Sequence, residues 1–328
     1  MADKKTIAVL TGSRADWGLL EPLVAELYKR FSIEIIITGS HLSVQFGETW
    51  KDIPKEWWVD CIFCPIIIDW DNPVGTTKSQ GLALMSAPEL LVNLKPDLLL
   101  VLGDRYEVLS FTLAAYNLHI PVAHLQSSDI TEGSLDDGYR KCIRNLASID
   151  FPVEEYGSLG CVFRPESYVP GYTYDYLCIY HPYKGNYKKD VEEIIAALKN
   201  KKVCYFGSNA DAGGRWITKM WRDFNLPVFE SISRNVYLSW LRGAKAIIGN
   251  SSSGIIEAPS MKVPTINIGD RQKSRLRAKS IIDCEPTQRA IEQALEKIKN
   301  VQPEDYINPY HRPDTLERIV CQLDADLG

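Results

Sequence analysis

The sequence has no hydrophobic run long enough to cross a bilayer. Its longest apolar stretches, Cys61 to Ile68 and Leu98 to Leu102, fall far short of the roughly 18 residues that a span requires. The N-terminus, Met-Ala-Asp-Lys-Lys ahead of a strand-like Thr6 to Leu10, lacks the apolar core and small-residue cleavage site of a secretory signal. A cytoplasmic protein without membrane association is expected. Cysteine is sparse: eight in 328 residues cannot build a disulfide scaffold and should be free thiols. The one close pair, Cys61 and Cys64, lies in a strand-like run where residues i and i+3 are about 10 Å apart and face opposite ways. No second Cys-x-x-Cys and no nearby histidine offers zinc a site. Charge of one sign is also lacking, since 37 Lys and Arg against 42 Asp and Glu leave a net charge of −5. That balance disfavours a general nucleic-acid binder and favours a small partner. No strand is followed by G-x-G-x-x-G, and no G-x-x-x-x-G-K-[ST] occurs, which counts against NAD-linked hydride transfer and P-loop ATP hydrolysis.

What is present is an ordinary folded chain, 45% hydrophobic and 24% charged, long enough for two domains at roughly 150 residues each. Strand-like runs at Thr6 to Leu10, Ile33 to Thr38, Cys61 to Ile68, Leu98 to Leu102 and Pro121 to Leu125 alternate with helical stretches such as Trp17 to Arg30 and Glu107 to Leu118. This alternation implies a parallel sheet covered by helices. The Gly-, Pro- and Tyr-rich stretch Gly157 to Tyr176 breaks the rhythm and reads as an interdomain connection. A second series follows, with strands at Leu177 to Tyr180, Val203 to Phe206, Ala246 to Gly249 and Val263 to Ile268. The fold class expected is α/β, with two doubly wound Rossmann-like domains, residues 1–155 and 156–328. In such domains ligands bind at the C-terminal ends of the strands. The last helical segment, Pro313 to Leu323, has no assigned packing partner.

The polar residues fall at strand-to-helix corners. Thr11-Gly12-Ser13-Arg14-Ala15-Asp16 follows the first strand and Gly103-Asp104-Arg105 the fourth. Each suits an anion at the start of a helix, and each suits plain helix capping by Ser13, Asp16 or Asp104. More specific is Gly249-Asn250-Ser251-Ser252-Ser253-Gly254-Ile255-Ile256-Glu257, which joins a buried strand to a helix through three hydroxyls and two glycines. It reads as a diphosphate cradle, with Glu257 one turn later placed to accept from ribose hydroxyls; a capping box explains one serine but not three. Arg271, at the end of the next strand, is the member of a basic run placed to meet phosphate. Asp136 and Arg140 share a helix face, a spacing that also makes surface salt bridges, and His181 ends a strand, where a structural role competes with a catalytic one. Asp69-Trp70-Asp71 has the chemistry to hold a divalent metal or simply to end a strand. No metal or cofactor is expected.

Thr11-Gly-Ser-Arg-Ala-Asp-Trp-Gly, Gly103-Asp-Arg-Tyr-Glu, Ala123-His-Leu with Thr131-Glu-Gly and Asp136-Asp-x-x-Arg140, Asn209-Ala-Asp-Ala-Gly-Gly-Arg, and Gly249-Asn-Ser-Ser-Ser-Gly-Ile-Ile-Glu-Ala-Pro-Ser with Pro264-Thr-Ile-Asn-Ile-Gly-Asp-Arg-Gln together resemble the UDP-N-acetylglucosamine 2-epimerases. The resemblance is closest to the hydrolysing branch that feeds sialic-acid synthesis and spans about residues 6 to 300. It implies the two-domain fold of the type B glycosyltransferases, a UDP-sugar as partner and a homodimer or homotetramer, with the apolar helix around Leu82 to Leu94 as a candidate contact. It also implies a reaction in which UDP is eliminated and the resulting 2-acetamidoglucal is hydrated to N-acetylmannosamine. Carried over by position, Arg14, Ser251, Ser252 and Arg271 hold the diphosphate and Glu257 the ribose, with Asn209, Ser253 and Gly254 as further UDP-binding positions. Asp104, Asp136 and His181 match acid–base positions, with Arg140 orienting them. Gln126 stands where relatives commonly have Glu or His, and Lys141 where a His is usual. An amide takes no proton at neutral pH, which turns attention to Asp129. The segment between Phe151 and His181 is shorter than in relatives by most of a βα unit. The alternatives on the same fold are a glycosyltransferase using a UDP-sugar and a catalytically impaired UDP-sugar binding protein.

Overall fold

A computed structural model describes residues 4–68, 72–128, 135–163, 174–183, 186–207, 213–230 and 232–328. The chain folds as two compact units: the described residues up to Val162 together with Arg312–Gly328 form one, and Phe163–His311 the other.

The first unit carries β1 (Thr6–Thr11), α1 (Arg14–Leu27), β2 (Ser32–Thr38), β3 (Cys61–Cys64), α2 (Pro73–Leu94), β4 (Leu98–Leu102), α3 (Tyr106–Asn117), β5 (Val122–Leu125), α4 (Leu135–Leu146), β6 (Ile149–Phe151) and α5 (Val153–Tyr156). Its six strands are all parallel, in the order β3-β2-β1-β4-β5-β6. Alternate side chains of each strand feed opposite faces, as the two-residue period of a strand requires. Ile7 and Val9 join Leu98, Leu100 and Leu102 in one core, whereas Ala8 and Leu10 join Leu99 and Val101 in the other. Cys61 and Cys64 divide between these faces in the same way, and both are free thiols.

The second unit carries β7 (Tyr176–Ile179), α6 (Tyr187–Leu198), β8 (Val203–Phe206), α7 (Gly214–Asp223), β9 (Val228–Phe229), α8 (Arg234–Gly243), β10 (Ala246–Gly249), α9 (Ser253–Ile256), β11 (Thr265–Ile268), β12 (Ile281–Cys284) and α10 (Gln288–Lys297). Its sheet is again parallel throughout, ordered β12-β11-β10-β7-β8-β9. Read from the other edge this is the order of the first sheet, so one topology occurs twice without a visible sequence repeat. The α/β class with two Rossmann-like sheets is therefore as expected.

Some boundaries differ from the sequence reading. The run from Cys61 is a strand only to Cys64. The edge strands β6, β9 and β12 were not anticipated, because an aspartate interrupts the apolar run of β6 and of β12 and β9 is only two residues long. The chain passes from one unit to the other near Val162 rather than at 155/156, and the final helix α11 (Thr315–Leu327) returns to the first unit. The cause is hydrophobic: Ile319, Val320 and Leu323 are buried among Leu20, Leu27 and Leu159.

Candidate active site

The strand order reverses direction between β1 and β4 in the first unit and between β7 and β10 in the second. The C-terminal ends beside such a reversal are where doubly wound sheets leave a crevice for ligands. Four of the sequence motifs fall there: Ser13–Asp16 after β1, Asp104 after β4, His181 after β7 and the serine loop after β10.

In the first unit Ser13 caps α1, and its hydroxyl donates to Asp16 Oδ2 at 2.9 Å. The capping reading of this corner is thus met by Ser13. Asp104 does not cap α3. Its carboxylate instead accepts from Nη2 of Arg140, a residue of α4 buried so that only 7% of its side chain is exposed, while Asp104 keeps 18%. The same guanidinium donates from Nη1 to the Gln126 carbonyl at 2.6 Å. Arg140 thereby ties the end of β4 to the end of β5, a role that its i to i+4 spacing from Asp136 does not reveal. Asp136 lies in the first turn of α4.

Beneath this corner lies a buried carboxylate absent from the expected set. Glu107 is fully buried, and its Oε1 accepts from Arg105 Nε at 2.7 Å. A Cβ on Gly12 would collide with that oxygen, so a larger residue there would have to displace the carboxylate and its pairing with Arg105. Burial, only partly offset by Arg105, pushes Asp16 up to about 6. Two histidines line the same strands as neutral spacers. His41 bridges Thr11 and Thr49 at 2.9 Å each, and burial holds it down to about 3. His124 meets the Gly103 carbonyl at 2.7 Å and is held to about 4 by burial.

Gln126 and Lys141, which the resemblance sets apart, have plain structural roles. Gln126 sits at φ 56, its side-chain oxygen accepting from Ser158 and its carbonyl from Arg140, so it braces the site. Lys141 pairs with Asp137 at 2.8 Å on the exposed side of α4. Asp129, Asn209 and the Asp69-Trp70-Asp71 group lie outside the described residues.

In the second unit the Asn250 side chain clips the backbone of His181, accepting from its N–H at 2.7 Å and donating to its carbonyl at 2.9 Å. This joins the ends of β7 and β10. The Asn250 carbonyl in turn accepts from Arg271 Nη1 at 3.0 Å and from the buried Gln272 at 2.8 Å, bringing in the end of β11. His181, Asn250, Arg271 and Gln272 are therefore one construction, in which the sequence reading gave Asn250 and Gln272 no role of their own. Gly249 has φ 134 and lies so close to the Ile179 carbonyl that no Cβ fits, and Gly254 packs where a Cβ would sit 2.6 Å from Thr265 Cγ2. These two glycines press the serine loop onto the sheet.

The three serines are not equivalent. Ser251 Oγ accepts from the Ser253 N–H at 3.3 Å, whereas the Ser253 hydroxyl is engaged by Glu257 and Tyr237. The other oxygen of Glu257 accepts from Arg234, the first residue of α8, which the sequence reading missed because a separation of 23 positions hides the contact. The helix α9 is a single turn, so hydroxyls and the guanidinium of Arg271, more than a helix dipole, supply the polar character of this corner. Chemically, the first unit offers oriented carboxylates for proton transfer, and the second offers hydroxyl and guanidinium donors for an anion together with a fixed carboxylate.

No helix among the described residues is long and apolar enough to cross a membrane. A GDP/UDP-N,N'-diacetylbacillosamine 2-epimerase (hydrolyzing) of Campylobacter jejuni is 34% identical, the match covering 90% of this chain and 88% of the relative. A polysialic acid biosynthesis protein of Escherichia coli is 28% identical over 96% of this chain and 93% of its own. Among solved structures, the Methanocaldococcus jannaschii UDP-GlcNAc 2-epimerase in complex with UDP-GlcNAc and UDP superposes with a TM-score of 0.77 at 18% identity, covering 98% of this chain and 99% of that one. A calicheamicin glycosyltransferase shares the fold at a TM-score of 0.53, 12% identity and coverage of 100% and 99%. Residues 25–157 and 173–324 match the family described as UDP-N-acetylglucosamine 2-epimerase. With that match over most of its length, this chain belongs to the UDP-N-acetylglucosamine 2-epimerase family.

Proposed function

We propose that this enzyme is a hydrolysing sugar-nucleotide 2-epimerase acting on a UDP-activated 2-acetamido sugar, with UDP-N-acetylglucosamine as the reference substrate. A base takes the C2 proton, the C–H electron pair forms the C1=C2 bond, and the C1–O bond breaks with its pair leaving on the β-phosphate of UDP. Water then delivers hydroxyl to C1 and a proton to C2 on the opposite face, releasing N-acetylmannosamine. Asp104, Asp136, His181 and Asp129 are the proton-transfer groups, with Arg140 orienting Asp104. Arg14, Asn209, Ser251, Ser252, Ser253, Gly254 and Arg271 form the diphosphate site, Ser253 through its backbone, and Glu257 receives the ribose. The observation that carries this reading is the Asp104 carboxylate, held by the buried Arg140 beside the β1/β4 reversal yet still accessible. A guanidinium there fixes the carboxylate without closing it to substrate.

Relatives named for N,N'-diacetylbacillosamine act on a sugar that differs at C4 and C6, away from the reacting C1 and C2, so the same chemistry serves either sugar. We further propose a homodimer or homotetramer that uses the outer face of α2, where Val74, Met85 and Val92 are 56%, 76% and 52% exposed.

Incubation with UDP-N-acetylglucosamine, or its diacetylbacillosamine counterpart, in deuterated water and without an acceptor tests the reaction by NMR. Free UDP and a manno product deuterated at C2 are expected. Turnover only after an acceptor is added would make the protein a transferase, and retained UDP on the epimerised sugar would make it a non-hydrolysing epimerase. The Asp104→Asn variant should lose at least about 100-fold in C2 exchange while still binding UDP. Unchanged exchange in that variant would remove Asp104 from the chemistry.

A further inference from the structure

Glu257 sits in a closed polar ring built by two short helical segments. Arg234 and Tyr237 lie three residues apart on α8 and so share a face; Ser253 and Glu257 lie four apart across α9 and share another. Where these faces meet, Arg234 Nη1 donates to Glu257 Oε1, Ser253 Oγ donates to Glu257 Oε2, and the Tyr237 hydroxyl meets Ser253 Oγ. The side chains of Arg234 and Glu257 are 15% and 9% exposed, so this ion pair is largely out of water. A buried pair carries a desolvation cost that stability alone does not explain, and loss of one partner strands the other.

The ring has a specific consequence for the carboxylate. Each oxygen of a carboxylate has two acceptor positions. Arg234 takes one on Oε1 and Ser253 one on Oε2, which locks the plane of the group and leaves an acceptor on each oxygen. Two parallel acceptors in one plane match the two hydroxyls of a cis vicinal diol, the recognition element of a ribose. We propose that Arg234 is a positioning residue for nucleotide recognition: together with Tyr237 and Ser253 it holds the Glu257 carboxylate oriented to accept both ribose hydroxyls, so that the enzyme selects ribonucleoside over deoxyribonucleoside diphosphates. This rests on the reading that the second unit binds the nucleoside diphosphate through the serine loop and Glu257.

The test compares UDP with 2'-deoxy-UDP by calorimetry on the full chain and on Arg234→Ala, Arg234→Lys and Tyr237→Phe variants. The wild type should bind UDP about 10-fold or more tightly than 2'-deoxy-UDP, the value of a hydrogen bond to a buried charged acceptor. In Arg234→Ala this ratio should collapse to within about twofold, with UDP losing more affinity than 2'-deoxy-UDP, which has only the 3'-hydroxyl contact to lose. Arg234→Lys keeps the charge but not the planar fork, so it should restore part of the ratio. Tyr237→Phe, which deletes one hydroxyl and no bulk, should lower the ratio in the same direction and carries the test if Arg234→Ala does not fold. A ratio unchanged in the folded variants overturns the positioning role. Equal loss of affinity for both nucleotides in Arg234→Ala also overturns it, since Arg234 would then be a direct phosphate contact. A wild type that binds both nucleotides equally overturns the ribose assignment of Glu257, and one that binds neither overturns the proposed function itself.

Discussion

Asp16 shows how the environment of one residue sets its chemistry. At the N-terminal turn of α1 a carboxylate ordinarily benefits from the helix and its capping serine. Here burial beside Glu107 and Asp104 outweighs those terms and Arg105 offsets it only in part, so the carboxyl titrates at about 6 rather than 3.8. A group whose folded pKa is raised contributes stability that is fully present below its unfolded pKa and is lost as pH rises through the folded value. The cost should therefore appear between about pH 4 and pH 7 and reach at most about 3 kcal/mol. Asp16→Asn, which keeps an acceptor for Ser13, should gain stability relative to the wild type as pH rises from 4 to 7 in urea unfolding. Parallel pH profiles for the two proteins would rule out a strained Asp16 ionisation. Individual roles were unevenly legible in the sequence at this scale. Ser13 as a cap follows from Ser-x-x-Asp spacing, but nothing in the spacing of Arg105 and Glu107 tells that Glu107 is fully buried under Gly12. Gln126, a missing acid when read along the chain, is a brace once Ser158 and Arg140 are seen against it.

At the scale of elements, the decisive feature is the strand end. Asn250 reads as a polar residue in a serine-rich loop, yet it holds three strand ends together through His181, Arg271 and Gln272. Gly249 makes that possible by bringing the loop against the Ile179 carbonyl at φ 134. Gly249→Ala should destabilise the protein by about 2 kcal/mol or more, through backbone strain and displacement of β10 from β7. Denaturant unfolding, with UDP binding as a second readout, checks this. Wild-type stability together with wild-type affinity would mean that the close approach is dispensable. The long strands were readable because each carries a central run of apolar residues, Ile7 to Leu10, Ile35 to Ile37 and Leu98 to Leu102, as strands buried on both faces must. The edge strands β6, β9 and β12 were not, since an aspartate interrupts β6 and β12, β9 has only two residues, and their pairing comes from a neighbour already in place.

On the scale of the whole molecule, the same strand order occurs twice, and both reversals carry motif residues. The C-terminal helix illustrates the limit of a linear domain count, because Ile319, Val320 and Leu323 complete a core begun some 300 residues earlier. The exposed apolar residues of α2 belong to this scale as well. Light scattering should give a mass that is a multiple of 37.1 kDa for the wild type and the monomer mass for Met85→Glu. Met85 is 76% exposed, so the change leaves the unit's own core untouched. A wild-type monomer, or a variant that stays associated, would exclude this face as the contact.

The sequence by itself determined the α/β class, the family and the corners that bear polar residues, because periodicity, buried strand runs and glycine-rich turns are local properties of the chain. Only the tertiary structure decided which side chains act on one another. The Asp104–Arg140 pair spans 36 positions, the Asn250 clip on His181 spans 69, and the Arg234–Glu257 pair joins two helical segments 23 residues apart. Such contacts exist because parallel sheets bring the same end of every strand to one edge, and a chain read in order contains no record of which ends become neighbours.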